Sequence, residues 1–290
     1  MPSVAVVIAA FQAQDHLLEA MSSVLGQSCS DLELIVVDDA STDATREVAS
    51  SVADARVRVL TLESNRGAAV ARQEGVANST APVIAFLDAD DVWSDRDSLQ
   101  KRMSLLAEDP AVALTYGGIE FRDASLSQVL GRYEPPPSLS FHDLLGHTLI
   151  PSQTITARRS AIEAVGGLGR RRLAEDWDLC LRLARLHQVR GFSDVHAVSR
   201  QHSSSTSVQA GKEMLSAAIE VLEQHSRAHA RCEDCRAARL RTRYELLRPG
   251  LLDAASEARL NRDPKALIRL AHLAWTGRDV VCEGVRRRKQ

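Results

Sequence analysis

The chain has 290 residues, 44% of them hydrophobic and 26% charged, and a formal net charge of −2. This is the balance of a globular protein, and it excludes a disordered tail protein and a collagen-like repeat; no nucleic-acid partner is expected. The longest apolar runs, Val4–Phe11 and Val83–Leu87, fall far short of the roughly 18–20 residues that span a bilayer. Val4–Phe11 also lacks the preceding Lys or Arg and the small-residue cleavage site of a secretory signal, so a cytoplasmic location is expected. Charge is uneven along the chain: residues 227–290 hold 16 Lys+Arg against 8 Asp+Glu, and the remainder is acidic. The cysteines at 29, 180, 232, 235 and 282 are odd in number and follow no framework spacing, which reads as reduced thiols.

Val4–Ala10 is a continuous apolar run with β-branched residues, which predicts a strand buried on both faces. Leu17, Leu18, Met21, Val24 and Leu25 then recur at helical spacing. Leu32–Val37 predicts a second strand, and Ser41-Thr42-Asp43 signals the start of a helix carrying Thr45, Val48 and Val52. Val57–Leu62 predicts a third strand, Gly67–Ala77 an Ala-rich helix, Val83–Leu87 a fourth strand, and Leu99, Met103 and Leu106 another helix. Such alternation predicts an α/β fold with a mostly parallel sheet covered by helices on both faces. The pattern then changes. Val112–Phe121 and Gln128–Tyr133 flank Asp123–Leu126 as a hairpin, and Pro135–Pro137 is a rigid break. Ile150–Ala157 reads as a strand, followed by a short helix ending at Gly166-Gly167. Asp176–His187 reads as a helix, then Val189–Phe192 and Val195–Arg200 as two short strands, and the chain from about Gly211 as helical to its end.

In an open parallel sheet, ligands bind at the carboxyl ends of the strands. The second predicted strand ends at Asp38-Asp39 and the fourth at Asp88-Ala89-Asp90-Asp91. Clustered carboxylates raise one another's pKa, and a hard divalent cation is their natural neutraliser. The Asp-x-Asp spacing lets one carboxylate meet a metal and the other a sugar hydroxyl. Helix-capping turns are the plainer reading of either cluster alone. Neither Gly-x-x-x-x-Gly-Lys-Ser/Thr nor a strand followed by Gly-x-Gly-x-x-Gly occurs, so a bound nucleotide diphosphate would need a metal and basic side chains to carry its charge.

The segments Val4–Phe11, Ser23–Gln27, Leu32–Asp43, Asn65-Arg66-Gly67, Ala71–Gly75 and Phe86–Asp91, in this order, resemble the family 2 glycosyltransferases. The similarity covers residues 1–120 closely and Glu175–Leu186 again. It implies the GT-A-type (Rossmann-like) nucleotide-diphospho-sugar transferase fold, to which the helical pattern from about Gly211 adds a C-terminal helical extension. It further implies inverting, metal-dependent transfer of a sugar from a nucleotide-diphosphate donor to the hydroxyl of a saccharide or lipid-linked acceptor, in bacterial cell-surface polysaccharide or glycoconjugate synthesis. On this resemblance Phe11 stacks on the nucleotide base and Asp39 accepts a base N–H. Backbone at Ala9 and Ala89 lines the nucleotide-sugar pocket, Arg72 helps bind the nucleotide, and Asp88 faces the ribose. Asp90 ligates Mn²⁺ or Mg²⁺. The chain departs from the family's usual Pro and Tyr-Asn by carrying Ala9, Phe11 and Gln12, and Phe keeps the stacking face without the hydroxyl.

Glu175-Asp176-Trp177-Asp178-Leu179 resembles the family's acidic acceptor-side motif, which makes Asp176 the expected general base and Glu175 the second candidate. The plainer reading is that both only favour the helix dipole. His202, in Arg200–Ser207, resembles the loop that closes the domain in relatives and is a candidate metal or diphosphate ligand, or else a surface-loop histidine. No Gln-x-x-Arg-Trp follows, so a non-processive, hexosyltransferase-type enzyme is expected. The implied domains are 1–210, with halves 1–116 and 117–210, and a helical region 211–290.

Two other functions compete. Asp88-Ala-Asp-Asp-Val92 also fits the haloacid-dehalogenase-like phosphatases, although that family carries the motif on its first strand and needs a downstream Lys, and this chain has only four lysines. A non-catalytic sugar-binding module on the same fold is the other. His225, His229, Cys232 and Cys235 invite a zinc reading, but on one unbroken helix they would span roughly 15 Å. Leu267, Ile268, Leu270, Ala271, Ala274 and Trp275 read as a core-facing helix in preference to a membrane-surface one. Arg286–Lys289 offers peripheral contact with an anionic membrane, on its inner face.

Overall fold

A computed structural model describes residues 2–146, 150–203, 205–227 and 232–236. The chain divides into two compact units, residues 1–144 with 148–211, and residues 145–147 with 212–290. The first unit begins with β1 (Val4–Ala10), α1 (Leu17–Leu25), β2 (Leu32–Asp38), α2 (Thr45–Ser50), β3 (Val57–Thr61), α3 (Ala68–Ala77) and β4 (Val83–Asp88). It continues with β5 (Val92–Trp93), α4 (Ser98–Glu108), β6 (Val112–Asp123), β7 (Val129–Tyr133), β8 (Ser138–Leu139) and α5 (Phe141–Gly146). Then come a 3-10 turn at Ser152–Thr154, β9 (Thr156–Arg158), α6 (Arg159–Ala164), α7 (Glu175–Ala184) and β10 (Gln188–Gln201). The helix α8 (Thr206–Arg227) follows.

The described strands form one ten-stranded sheet in the order β3-β2-β1-β4-β9-β6-β10-β5, with β7 on β6 and β8 on β10. The block β3-β2-β1-β4 is parallel. β9 runs antiparallel between β4 and β6, and β6 pairs parallel with β10, so the second half of the sheet is mixed. The parallel block is explained by its sequence: β1 and β2 lie under helices on both faces, and an uninterrupted Val/Ile/Leu run is what such a strand requires. Leu17, Ala20, Met21 and Val24 of α1, at positions i, i+3, i+4 and i+7, are buried on the face that carries Val4, Val6 and Ile8. On the opposite face α3 approaches closely because Gly75 has no side chain: a Cβ there would lie 2.4 Å from Val7 Cγ1. This approach brings Arg72, on the same helix, into the site described below.

Three local expectations change. Ile150–Ala157 is not one strand, since Ser152–Thr154 forms a tight turn in which Thr154 and Ile155 donate backbone hydrogen bonds to Pro151 and Ser152, and only Thr156–Arg158 pairs with the sheet. Val189–Phe192 and Val195–Arg200 are not two strands but one, β10, whose register shifts between Gly191 and Val195. The continuous helix expected to carry His225 through Cys235 is interrupted, because α8 ends at Arg227 and Cys232 is not helical. His229, the 267–275 segment, Cys282 and Arg286–Lys289 lie outside the described residues. Among the described residues no helix is long and apolar enough to cross a membrane.

Candidate active site

The site sits at the carboxyl ends of β1, β2 and β4, where the strand order reverses around β1, the place where open α/β sheets bind ligands. Its first part is a pair of loops. Gln12, at φ 51°, donates its backbone N–H to Ser41 Oγ at 3.0 Å, and its side-chain oxygen accepts from Thr42 N at 2.9 Å and Asp43 N at 3.2 Å. The loops after β1 and β2 are therefore fastened together, while Phe11 between them stays 50% exposed. Asp39 is buried, and its carboxylate accepts from Arg66 N at 2.8 Å and Gly67 N at 2.7 Å. These bonds hold the turn into α3, where Gly67 takes φ 88°, a conformation natural to glycine. Each carboxylate oxygen has a second lone pair, so the Asp39 bonds are compatible with accepting from a base.

Arg72 is the centre of the second part. It is buried, and its guanidinium donates to Asp88 at the end of β4 at 2.5 Å and to Glu175 at the start of α7 at 2.7 Å. A planar fork suits two carboxylates on different elements. Burial works against its charge, but Asp88, Glu175 and Asp176 together hold the guanidinium pKa above its ordinary value. Burial pushes Glu175 up to about 7, against the pull of Arg72 and with a further push from Asp176. Asp176 is also raised, by burial first, with Arg72 opposing. Its Oδ1 accepts the N–H of Trp177 at 2.7 Å, and it lines a small cavity with Arg72, Phe86, Ser152, Ile155, Leu168 and Leu179. The preceding Ala174 is left-handed (φ 57°), which turns the chain sharply into the helix.

The third part is the loop after β4. Asp90 Oδ2 lies 3.0 Å from His202 Nε2, just past the end of β10. Asp91 is buried and accepts from Gln153 Nε2 at 2.8 Å and from the backbone N–H of Arg200 at 2.7 Å. The Arg200 side chain donates to Asp90 O at 2.9 Å and to Glu19. Ser152 Oγ donates to Asp88 Oδ2 at 2.9 Å. Burial, with the charge of Asp88, raises the carboxyls of Asp90 and, more strongly, Asp91. Asp88, Asp90, Asp91, Glu175 and Asp176 thus outnumber the guanidinium groups of Arg72 and Arg200, and Arg200 is shared with Glu19. A hard carboxylate beside an imidazole, in surplus negative charge, fits a divalent cation such as Mn²⁺ or Mg²⁺.

A family model described as glycosyl transferase family 2 matches residues 5–166. The chain belongs to this family. TuaG of Bacillus subtilis, named for teichuronic acid biosynthesis, is 34% identical over 160 residues, covering 54% of this chain and 63% of TuaG. WfgD of Escherichia coli, a UDP-Glc:alpha-D-GlcNAc-diphosphoundecaprenol beta-1,3-glucosyltransferase, is 29% identical over 159 residues, covering 55% of this chain and 61% of WfgD. The match thus spans less than two thirds of these two relatives. Among solved structures, Staphylococcus aureus TarS 1-349 in complex with UDP-GlcNAc superposes with TM-score 0.69 at 15% identity, over 94% of this chain and 79% of that one. The mannosyltransferase PcManGT of Pyrobaculum calidifontis, in complex with GDP-Man and Mn²⁺, gives 0.64 at 20% identity, over 98% and 86%. These likenesses establish the GT-A-type fold of this family 2 glycosyltransferase.

The residues expected from the sequence converge. Ala9 is the strand partner of Asp88, and Ala89 is buried beside it. Asp88, Glu175 and Asp176 meet around Arg72, and Asp90 meets His202. Phe11 and Asp39 sit on the neighbouring loops that follow β1 and β2. Sequence reasoning missed Ser152, Gln153 and Arg200, which hold the acidic loop, and Gln12, which it saw only as a departure from the family. Ser152 and Gln153 stand in no local motif, and Arg200 opens the Arg200–Ser207 segment in which only His202 was singled out. The Ser203–Ser207 run is not wholly a loop, since α8 begins at Thr206.

Proposed function

We propose that this family 2 glycosyltransferase moves a hexose from a nucleotide-diphosphate sugar to the hydroxyl of a lipid-diphosphate-linked saccharide, with inversion, in the assembly of a bacterial cell-surface polysaccharide. The observation that carries the reading is the bridge made by Arg72 between Asp88 and Glu175. One buried guanidinium joins the strand end expected to face the donor to the helix start expected to face the acceptor. Phe11 and Asp39 receive the base, and Asp88 the ribose. Asp90 and His202 are the residues that would hold Mn²⁺ or Mg²⁺, and the ion supplies charge neutralisation of the diphosphate when bound. Asp176 accepts the proton of the attacking hydroxyl, and burial raises its carboxyl above the usual range, the direction that makes it a stronger base. Glu175, tied to Arg72, orients the helix start. A single in-line displacement then inverts the anomeric centre, and the absence of Gln-x-x-Arg-Trp favours one sugar per encounter.

The donor class is supported by the UDP-GlcNAc and GDP-Man bound to the structural neighbours, and the acceptor class by the diphosphoundecaprenol in the name of WfgD. The protein acts at the cytoplasmic face, with the basic residues 227–290 offering peripheral contact to anionic lipid. The test is a transfer assay with a panel of UDP-, GDP-, dTDP- and CDP-sugars and a lipid-diphosphate-linked acceptor, with and without Mn²⁺. Product of inverted anomeric configuration, formed only with the metal, is expected. Product of retained configuration, or no transfer from any donor, overturns the reading.

A further inference from the structure

The loop between α6 and α7 carries three successive arginines, Arg170, Arg171 and Arg172, directly ahead of Glu175 and Asp176. It is a built loop. Leu168 donates its N–H to Gln73 Oε1 at 2.9 Å, and Arg182 Nη1 donates to the carbonyls of Val165 at 2.8 Å and Gly167 at 2.6 Å. Gly167 takes φ 76°, a left-handed conformation natural to glycine, beside the Gln73 side chain. The arginines are therefore presented from a fixed base.

The charges of Arg170 and Arg172 are available, unlike those of Arg72 and Arg200. The Arg72 guanidinium is engaged by Asp88 and Glu175, and that of Arg200 by Glu19. Arg170 is exposed and makes no side-chain hydrogen bond or ion pair among the described residues. Arg172 is exposed and donates only to the neutral Asn65 Oδ1, at 2.6 Å. Arg171 leans toward Asp178 at 4.0 Å. Immediately beyond, the first turn of α7 is acidic, with Glu175, Asp176 and Asp178. An anionic acceptor whose hydroxyl must reach Asp176 is repelled by that turn unless fixed positive charge stands at its entrance. Guanidinium groups meet phosphate with matching geometry.

We infer that Arg170 and Arg172 form a phosphate-binding edge for the acceptor, taking the diphosphate that links its sugar to lipid. The inference rests on the reading of the acceptor given above and adds the residues that recognise it. It is tested by calorimetry on the full chain, first saturated with Mn²⁺ and whichever of UDP, GDP, dTDP and CDP binds most tightly, so that the donor side is filled. The probes are N-acetylglucosaminyl-diphospho-farnesol and the phosphate-free farnesyl N-acetylglucosaminide.

Arg170→Glu and Arg172→Gln are each expected to weaken the diphosphate probe by about tenfold or more, the usual effect of losing a charge-assisted contact. Affinity for the neutral glycoside and for the nucleotide should stay within a factor of about two. Equal weakening of both probes, no weakening, or weakened nucleotide binding instead would overturn the assignment, the last pointing to the donor's phosphates. Lost sedimentation with phosphatidylglycerol vesicles at undiminished probe affinity would overturn it in favour of a lipid headgroup. A wild-type protein that transfers sugar to the neutral glycoside but has no affinity for the diphosphate probe refutes the inference while leaving glycosyl transfer intact. Absence of transfer to any acceptor, with selective loss of probe affinity in the variants, supports the edge and refutes the wider reading.

Discussion

Replacing Arg72 by Met keeps the unbranched stem and removes the guanidinium and its charge. The change strands two carboxylates that face one another across β4 and α7: the side chain of Glu175 is 10% exposed and that of Asp88 25%. Removing one partner of a buried pair costs about 3–5 kcal/mol, and the partial exposure of Asp88 puts the expectation at the lower end. For a protein of this size each kcal/mol lowers Tm by roughly 2–4 °C, so a fall of about 6–12 °C is expected at pH 8. The loss should shrink at pH 5, and the sign follows from Glu175. Its carboxyl is raised to about 7 from 4.5, so between those values the folded state binds more protons than the unfolded one, and stability falls as pH rises. Without Arg72 the carboxyl rises further and the fall extends above pH 7. At pH 5 Glu175 is largely protonated in both proteins, and the missing guanidinium matters less. Circular-dichroism melts of wild type and Arg72→Met at pH 5 and pH 8 measure the effect. The Arg72→Met/Glu175→Gln double variant should recover part of the loss at pH 8. A variant that melts within about 2 °C of wild type at pH 8, or loses more at pH 5 than at pH 8, refutes the buried bridge.

Asp90→Ala should abolish metal-dependent nucleotide-diphosphate binding by calorimetry and leave the melting temperature nearly unchanged; undiminished affinity would remove Asp90 from the metal site. Asp176→Asn should retain donor binding while kcat falls by about 10²–10⁴-fold, the usual contribution of a positioned general base; normal turnover in Asp176→Asn with loss in Glu175→Gln would move the role to Glu175. His196 is fully buried, and burial lowers its imidazole pKa to about 4 from 6.5. The folded state therefore binds fewer protons across that window, and His196 contributes stability that is lost as pH falls from 6.5 toward 4, by roughly 3 kcal/mol; acid titration of His196→Gln should show a correspondingly smaller drop. Gly75→Ala should cost about 1–3 kcal/mol through overpacking against Val7 in chemical denaturation, and an unchanged midpoint would contradict the close approach of α3 to β1.

The parallel half of the fold was legible because a strand covered on both faces is apolar along most of its length, as Val4–Ala10 is throughout and Leu34–Val37 is within β2. β10 was read as two strands because Ser193-Asp194 interrupt the apolar pattern, and the structure absorbs them in a register shift. The turn at Ser152–Thr154 was hidden inside a run of residues that favour strands. In the site, Asp88, Asp90, Glu175 and Asp176 were legible because strand ends and helix starts concentrate them in short motifs. The residues that hold them were not. Gln153 reaches Asp91 across 62 positions and Arg200 across 109, so no local spacing announces either contact. Gln12 stood next to the expected base-stacking Phe11, but its role as a fastener between loops depends on Ser41, Thr42 and Asp43, which only the sheet brings near.

That β10 closes the acidic loop bears on the order of synthesis. A chain leaving the ribosome has β1 through β4 in hand once residue 88 has emerged, and the parallel block has its strands at that point. Asp91 still waits for Arg200, Asp90 for His202, and Arg72 for Glu175. The segment 5–166 that carries the family's signature would therefore, if expressed alone, leave Asp91 without Arg200 and Asp90 without His202. Such a fragment should bind nucleotide sugars poorly even where its strands form, and competence should arrive in a single late step, when residues 175–202 are laid into place.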